Sequence, residues 1–394
     1  MRLVLLHIFL FFSFLGLSQQ MRIGLFRKST VKRIVIRHND GSYMVYGDSI
    51  CIGSLLQNEF FDLTETTSGL IHVKKGTVFL GDFNKVLFVQ NFLNTSIALS
   101  PKIPVYKERK YKDNIEVTKD ISGIKIINVV DINNYLAGVI ESEGGGGREL
   151  EYYKVQAVMS RTYAIKYGHR HNEEDFDLCD NVHCQAYHSM LRFTKKIDTA
   201  VVHTRGVVMM DQEGKLLDSY FHANCGGQTS PAEYVWNKPV SYLYSFKDTF
   251  CIHTRQATWE KKIPKYLWRK FLVDKYNYPI HHSVYGSKIY TFSQPYRKAF
   301  FQSPTLGIPL RDLRAEFKLK STFFSCYPEG DYVILKGRGF GHGIGLCQEG
   351  AMGMANYGYN YLQIGQFYFP NAFFKNINEE LYFRQTQSIL DYKK

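Results

Sequence analysis

The sequence contains few cysteines for its length, which argues against a fold stabilised by disulfide bonds. Seven cysteines occur among 394 residues, and the number is odd. Small secreted domains that depend on disulfides are dense in cysteine and usually contain an even number. The chain must therefore gain its stability from a buried core. With 45% hydrophobic and 15% aromatic residues, it has enough apolar side chains to form one.

Only one long hydrophobic run is present, and it lies at the N-terminus. Met1-Arg2 precedes the mostly apolar residues 3–17, and Ser18 begins a polar segment. A bilayer-spanning helix needs about 20 apolar residues. The shorter run fits a signal peptide cleaved after Ser18 better than a membrane anchor. We therefore expect an exported protein, periplasmic or associated with the cell envelope, without a stable transmembrane anchor.

Nucleotide- and nucleic-acid-binding motifs are also missing. No Gly-Lys-Ser/Thr follows the run Gly144–Gly147, and the alternating glycines at 337–345 do not supply G-x-G-x-x-G. No basic block or zinc-finger spacing occurs, so nucleic acid is not expected as a partner. The net charge of +13 still indicates an anionic partner. For an exported protein, an acidic polymer of the envelope fits this charge best.

The pattern of apolar residues predicts an α+β fold. Residues 21–115 contain short strand-like runs, in which Asn39-Asp40-Gly41 predicts a hairpin turn. The polar residues 107–112 predict a linker to a main domain of mixed helix and antiparallel sheet. The predicted parts are a signal peptide (1–18), a smaller β-rich N-terminal region (19–115), a main domain (116–378) and a C-terminal tail (379–394).

Two consecutive helices are predicted near the start of the main domain. Asp131 could cap the first, DINNYLAGVIESE, which the four glycines after Glu143 end. The second runs from about Arg148 to Tyr167. Farther along, the strand-like residues 201–211 and 215–225 predict a hairpin, and a helix candidate begins at Lys261.

The segment Asp177–Tyr187, DLCDNVHCQAY, could form a metal site. Cys179, His183 and Cys184 offer two sulfurs and one imidazole, and zinc prefers four such ligands in a closed structural site. His171 is the best candidate for the fourth ligand and His169 a weaker one. A local disulfide between the two cysteines is the alternative, since exported proteins meet oxidants. A reactive thiol is a third interpretation, without recognisable partner residues.

Two polar features could take part in chemistry, although each has an ordinary explanation. Glu141 and Glu143 precede the glycine run, but residues two apart near a helix end do not share a face. One of them could act alone as a proton donor, or both could be solvated charges. His342, among the alternating glycines, could donate a hydrogen bond to a ligand or be satisfied by backbone.

Five motifs in a fixed order resemble the SpoIID/LytB family. They are NNYLAGVIESE, YYKVQAVMSRTYA, DLCDNVHCQAY, YFHANCGGQT and GRGFGHGIGLCQEGA. The resemblance extends from about Ile121 to Phe374. It departs from the family pattern after Glu143, where many members have Met-Pro instead of Gly144-Gly145. Many members also have serine in place of Cys347, so a reactive thiol there is an open alternative. A pairing of Cys225 with Cys251 is likewise left open.

The resemblance implies a lytic transglycosylase that cleaves peptidoglycan glycan strands, with Glu143 as the catalytic residue. It also implies that His171, Cys179, His183 and Cys184 bind a structural zinc ion. The substrate-binding residues that we predict with it are Arg161, Tyr163, Gln185, Tyr187, His222, His342 and Gln348. The alternative is a non-enzymatic, glycan-binding enhancer of a cell-wall amidase, in which case an amidase would be a partner.

Overall fold

The computed structural model describes residues 19–378. The predicted signal peptide and the predicted C-terminal tail lie outside these residues. The described chain forms two compact units. The first unit contains residues 19–135 and 168–190, and the second unit contains residues 136–167 and 191–378. Within residues 19–378, no helix has the length and apolar character needed to cross a bilayer.

The first unit is built from strands. Its described strands are β1 (Gln20–Leu25), β2 (Arg33–Asp40), β3 (Tyr43–Gly47), β4 (Ile50–Leu55), β5 (Phe60–Glu65), β6 (Ile71–Lys75), β7 (Val78–Phe83), β8 (Lys85–Gln90), β9 (Ser96–Ile103), β10 (Arg109–Lys112), β11 (Asn114–Asp120), β12 (Gly123–Asp131) and β13 (Leu178–Cys179). One sheet has the order β13-β1-β12-β11-β8-β3-β4, and the other has the order β10-β9-β2-β5-β6-β7. The pairs are antiparallel except for β1 with β13, which is parallel.

The core of the first unit lies between these two sheets. Side chains along β3 and β5 alternate between buried and partly exposed, as expected for strands that cover a core with one face. Phe61 of β5 and Phe88 of β8 come from different sheets, and their rings meet edge to face at 5.4 Å. This aromatic pair fixes the contact between the two layers.

Two local predictions for the first unit are wrong. Asn39-Asp40-Gly41 does form a turn, but β2 pairs with β5 and β9 whereas β3 pairs with β4 and β8, so no hairpin forms. Turn residues specify a chain reversal and do not specify the pairing partner. Residues 109–112 form β10 on the edge of the second sheet instead of a linker. The predicted division between residues 115 and 116 falls inside β11.

The second unit contains most of the helices. The described helices of the chain are α1 (Ile132–Gly144), α2 (Leu150–Tyr167), α3 (Lys195–His203), α4 (Glu233–Trp236), α5 (Lys265–Tyr276), α6 (Leu310–Glu316), α7 (Gln348–Asn356) and α8 (Tyr361–Tyr368). The remaining strands are β14 (Val207–Met210), β15 (Phe221–His222), β16 (Thr258–Pro264), β17 (Phe324–Glu329), β18 (Tyr332–Arg338), β19 (Leu346–Cys347) and β20 (Phe373–Asn376). They form the sheet β16-β18-β17 and the pairs β14-β20 and β15-β19. The predicted α+β class is confirmed.

The first predicted helix begins where the sequence predicts, but the helix predicted from Lys261 begins only at Lys265, because residues 258–264 form β16. The Asp131 carboxylate accepts hydrogen bonds from the backbone amides of Asn133 and Asn134 at 2.7 and 3.3 Å, and so caps α1. Gly145, which follows the helix, has φ +65°, a conformation that favours glycine. The predicted hairpin over residues 201–225 is wrong, because residues 201–203 complete α3, β14 pairs with β20 and β15 pairs with β19.

Candidate active site and metal centre

Glu141 and Glu143 lie near the end of α1 in different environments. The side chain of Glu141 is only 7% exposed, and its carboxylate accepts hydrogen bonds from the backbone amides of Arg192, Phe193 and Thr194 at 2.9–3.0 Å. These amides precede α3, where a negative charge is stabilised by the helix. Glu141 is therefore committed to positioning α3. Glu143 is half-buried, and the buried Gly144 separates it from the exposed glycines 145–147.

Tyr152 of α2 interacts electrostatically with Glu143. It is fully buried, and a Cβ added to Gly144 would lie 3.0 Å from its hydroxyl oxygen. Burial raises the pKa of Tyr152, and electrostatic interactions with Tyr153, Glu143 and Cys347 raise it further. Its hydroxyl has no hydrogen-bond partner among the described residues. Tyr152 thus links the end of α1 to Cys347, which precedes α7.

His222 and His342 form a pair of imidazoles close to this group. His222 is aligned with Cys347 in the parallel β15-β19 pair, and the two imidazole rings are 5.5 Å apart. The Nδ1 atom of His222 donates to the carbonyl oxygen of Ile344 at 3.1 Å, which leaves Nε2 as an acceptor without a partner among the described residues. Burial lowers the pKa of His222 well below 6.5, and the neighbouring His342 lowers it further. The ring is therefore neutral at physiological pH.

His342 is held by its own backbone surroundings. Its Nδ1 atom accepts a hydrogen bond from the Ile344 amide at 3.0 Å, so the ring proton lies on Nε2. Burial, followed by the positive charge of Arg314, lowers the pKa of His342 to about 4. The glycines beside it allow this close packing: a Cβ on Gly341 would lie 2.8 Å from the Cβ of His222. His342 is thus a neutral ring in a narrow turn.

A row of aromatic side chains, which we call the aromatic row, joins α2 to this histidine pair. It consists of Tyr163, Tyr167, Tyr220, Trp236 and His342. The centroid distances are 4.6 Å for Tyr163–Tyr167, 4.4 Å for Tyr220–Trp236 and 5.6 Å for Trp236–His342, and the hydroxyls of Tyr167 and Tyr220 are 3.1 Å apart. Trp236 is 42% exposed, and the others are half-buried. Such a surface can stack against a sugar ring.

Gln348 adds a polar group at the start of α7. It is buried, and its side-chain amide nitrogen has no partner among the described residues. The side-chain amide nitrogen of Gln156, on α2, is also buried without a hydrogen-bond partner among the described residues. Buried polar groups are normally hydrogen-bonded, so these two donors and the His222 acceptor are unusual. Sequence reasoning did not identify Tyr152 or Gln156 as site residues.

Arg161 has surroundings that are typical of a structural residue. It is buried, and its guanidinium donates to the carbonyl oxygens of Thr204 at 2.6 Å, Val207 at 3.1 Å and Val201 at 3.4 Å. These carbonyls follow or belong to the last turn of α3, where a cation is favourable. The structure does not bring its charge to the surface, so we assign it no part in the proposal below.

The four predicted metal ligands come together in the first unit. The ligand atoms of His171, Cys179, His183 and Cys184 all lie within 4.8 Å of one another. The Sγ atom of Cys184 is 3.4 Å from Nε2 of His171 and 3.7 Å from Nδ1 of His183. Cys179 belongs to β13, and its Sγ lies 3.9 Å from the same Nδ1 atom. The group could hold a metal ion, and both thiols are free.

The surroundings of this group also fit a metal. The Nδ1 atom of His171 lies 2.6 Å from a carboxylate oxygen of Glu174, which would orient Nε2 towards the group, as is usual for metal-bound histidines. The loop is fixed to the sheet by Asp180, which accepts from the Phe26 amide and from Arg109, both at 2.7 Å. A hydrogen bond from Cys184 lowers the pKa of Cys179 to about 4. Two sulfurs and two imidazoles are the donors of structural zinc sites.

Gln185 and Tyr187 follow this group and point into the first unit. Gln185 is buried and accepts a hydrogen bond from the Tyr135 hydroxyl at 3.1 Å. Tyr187 is fully buried, donates to Asn128 at 3.0 Å and packs against Tyr111 and Tyr135. The predicted site residues are therefore divided: these two and the metal ligands belong to the first unit, whereas Glu143, Tyr163, His222, His342 and Gln348 belong to the second.

A separate cleft of about 870 Å³ lies along α5. It is lined by cationic, acidic and aromatic side chains, among them Lys265, Asp274, Asp331 and Tyr266, and none of the predicted site residues lines it. The acidic side chains offset most of the positive charge of its lining.

Comparison with known proteins gives the same family as the motifs. Residues 120–210 match the family model described as Stage II sporulation protein. An uncharacterised protein of Brachyspira hyodysenteriae is 29% identical over 62% of this chain. The match covers 66% of the length of that relative, slightly under two thirds. Stage II sporulation protein D of Bacillus subtilis is 27% identical, over 62% of this chain and 74% of its own length. The amidase enhancer of the same organism is 25% identical, over 60% of this chain and 40% of its own length.

Proposed function

The chain is related to the SpoIID/LytB family, as its motifs predict, and from this premise we propose that it is a lytic transglycosylase of peptidoglycan. A cell-wall-related role is the broader part of this proposal, and the matches to sporulation protein D and the amidase enhancer support it. The finer part is cleavage of the glycan strand with Glu143 as both acid and base.

The position of Glu143 at the end of α1 carries the proposal. The carboxylate of Glu141 is occupied by three backbone amides, whereas Glu143 is half-buried beside the exposed glycine run. Glu143 also lies in the last turn of α1, where the helix macrodipole disfavours a negative charge. This position favours the neutral acid that must start the reaction.

The proposed reaction needs a single carboxyl group. Neutral Glu143 gives its proton to the glycosidic oxygen while the bond from that oxygen to C1 breaks. The resulting carboxylate then accepts the proton of the C6 hydroxyl as O6 bonds to C1, which closes a 1,6-anhydro ring and restores the acid. No water is consumed, so a second carboxylate is unnecessary.

The aromatic row and the polar atoms without hydrogen-bond partners, on His222 and Gln348, are proposed to bind the sugar. Trp236 and Tyr220 offer ring faces, while Nε2 of His222 can accept a hydrogen bond from a hydroxyl and the amide of Gln348 can donate one. Tyr163, beside Tyr167, extends the same surface. Gln185 and Tyr187 would act indirectly, by shaping the first unit around the metal loop.

Zinc is the proposed ion of the group formed by His171, Cys179, His183 and Cys184. Four protein donors leave no open coordination position, which is typical of a structural ion. When bound, the ion would cross-link the loop, and it would take no part in the reaction.

The test compares Glu143→Gln with Glu149→Gln, whose side chain is 53% exposed. Each protein is incubated with glycan strands from which stem peptides have been removed, and the products are analysed by mass spectrometry. We expect the Glu149 variant and the original protein to release anhydro-ended fragments, and the Glu143 variant to release none. Full activity of the Glu143 variant would remove this residue from the mechanism.

The second candidate function is a glycan-binding protein that enhances a cell-wall amidase. The match to the amidase enhancer supports it. The same incubation separates the two, because an enhancer releases no anhydro ends from purified glycan when it is alone. It would instead raise the rate of an added amidase, and Glu143→Gln would leave that effect intact.

A further inference from the structure

A second group of metal-ligating side chains is buried in the second unit, and none of its members is among the site residues predicted from the sequence. It consists of Cys225, Asp248, Cys251 and Cys347, whose ligand atoms all lie within 4.8 Å of one another. The Sγ atom of Cys225 is 3.3 Å from Sγ of Cys251 and 3.3 Å from a carboxylate oxygen of Asp248. All four residues are buried, and the three thiols are free.

These distances suit one tetrahedral ion. With zinc–sulfur bonds of about 2.3 Å, two thiolates on a tetrahedral ion are about 3.8 Å apart. The sulfur separation of 3.3 Å between Cys225 and Cys251 is close to this value, and the third thiol and the carboxylate complete four donors. A disulfide between Cys225 and Cys251 would not account for the approach of Cys347 and Asp248 to the same point. Three sulfur donors favour zinc over hard cations such as magnesium.

Hydrogen bonds hold the sulfur of Cys347 as an acceptor. It receives the backbone amide of Cys225 at 3.2 Å and that of Gly350 at 3.3 Å. Cys347 is the N-cap residue of α7, and the bond from the Gly350 amide is its capping contact. A thiolate ligated to a metal accepts amide hydrogen bonds of this kind.

The carboxylate of Asp248 is oriented by further contacts. One oxygen accepts from the hydroxyl of the buried Tyr368 at 2.9 Å, and the other accepts from the Phe250 amide at 2.9 Å. A Cβ on Gly350 would lie 2.5 Å from this carboxylate, so only glycine allows α7 to approach it. Partners of this type fix the direction of a ligating carboxylate.

A buried cation lies beside the group. Arg297 is buried and donates to the carbonyl oxygen of Cys225 at 2.7 Å. Three thiolates and one carboxylate around a divalent ion carry an excess negative charge, which this guanidinium partly balances. A buried charge without such a partner would be costly.

We propose that Cys225, Asp248, Cys251 and Cys347 form a second structural zinc site. The ion would tie the segment after β15 to the loop at 248–251 and to the start of α7. His222 precedes Cys225 by three positions and Gln348 follows Cys347 directly, so the ion would fix the backbone that presents both side chains. The inference does not depend on the reaction proposed above.

Metal content tests the proposal. The full chain after residue 18 is purified without chelators, and its mass is measured under native and denaturing conditions. We expect about two zinc ions per chain, one for each group of ligands. The double variant Cys225→Ala/Cys251→Ala should lose one ion, and so should Cys179→Ala/Cys184→Ala. The matched control is Cys326→Ala, a buried cysteine outside both groups, which should keep both ions.

Cobalt identifies the ligands. In the Cys179→Ala/Cys184→Ala variant, zinc is exchanged for Co²⁺. The sulfur-to-cobalt charge-transfer absorption should then correspond to three thiolates. Adding Cys347→Ser to this variant should reduce that absorption by about one third. If the variants do not fold, the native and denatured masses of the unaltered protein still show how many zinc ions it binds and whether it contains a disulfide. The proposal is overturned if the Cys225→Ala/Cys251→Ala variant keeps all the zinc of the unaltered protein, or by a denatured mass two hydrogens lower that maps to a Cys225–Cys251 disulfide.

Discussion

Glu141 and Glu143 are separated by one residue, and their side chains have different surroundings because a helix turns them in different directions. Sequence spacing predicts that the two do not form a close pair, but it cannot show that Glu141 is held by backbone amides. The distinction depends on the amides of residues 192–194, which are distant in the sequence. Only the folded chain reveals that contact.

Replacing Glu141 by glutamine should therefore reduce stability and leave the chemistry intact. An amide can accept with one oxygen only, so its NH₂ group would face backbone N–H donors that now lack an acceptor. We expect the free energy of unfolding to fall by about 1–3 kcal/mol, measured by urea denaturation. Glu149→Gln is the control, because its exposed pair with Lys196 should contribute almost nothing. Unchanged stability of the Glu141 variant would contradict the assigned role.

His342 and His222 should make the protein less stable in acid. The pKa of each is lower in the folded protein, about 4 for His342, than in the unfolded chain, where it is about 6.5. As the pH falls below about 6.5, the unfolded chain binds more protons than the folded chain, so the free energy of unfolding decreases until about pH 4. Thermal unfolding between these pH values should show this decrease.

A variant assigns part of that pH dependence. His342→Gln should flatten the decrease in melting temperature between about pH 6.5 and 4, because the group that titrates is gone. The exposed His281→Gln is the control and should leave the slope unchanged. An identical slope in both variants would mean that other groups cause the acid sensitivity.

At the scale of elements, local signals predict the helices better than the pairing of strands. The cap at Asp131 and the glycine after α1 are local, and both are confirmed. The Asn39–Gly41 turn is local as well, but whether β2 meets β3 depends on strands that lie elsewhere in the chain. The prediction failed for that reason. The group of Cys225, Cys251 and Cys347 was missed for a similar reason, since its members come from separate elements.

The aromatic row spans α2, the segment before β15 and α4, and it gives a prediction at this scale. Trp236→Ala should weaken binding to stem-peptide-free glycan by about 1 kcal/mol or more, because the largest exposed ring of the row is lost. The assay is calorimetric titration with the inactive Glu143→Gln protein. Tyr296→Ala removes a more exposed ring outside the row and should not change the affinity. Equal effects of both changes would argue against the row as the binding surface.

At the scale of the whole molecule, disrupting the group of His171, Cys179, His183 and Cys184 should change amide hydrogen exchange in the first unit and leave it unchanged in the second. Cys184→Ala removes one ligand, so amide hydrogen exchange should become faster in β1 and β13, which the loop joins. Amides of β16, β17 and β18 in the second unit should keep their protection. The exposed Cys51→Ala is the control. Unchanged exchange in β1 and β13 would show that the group does not stabilise the first unit.

The path of the chain has a consequence for synthesis and for engineering. β1 lies at the beginning of the described residues, yet its parallel partner β13 follows only after α1 and α2 have been made. The first unit therefore cannot complete its sheet, or assemble its four donor side chains, until residue 184 has left the ribosome. A truncated protein that ends at residue 135 would lack its edge strand and all four ligands. Any excised version must retain residues 168–190, for instance across a short artificial connection that replaces the two helices.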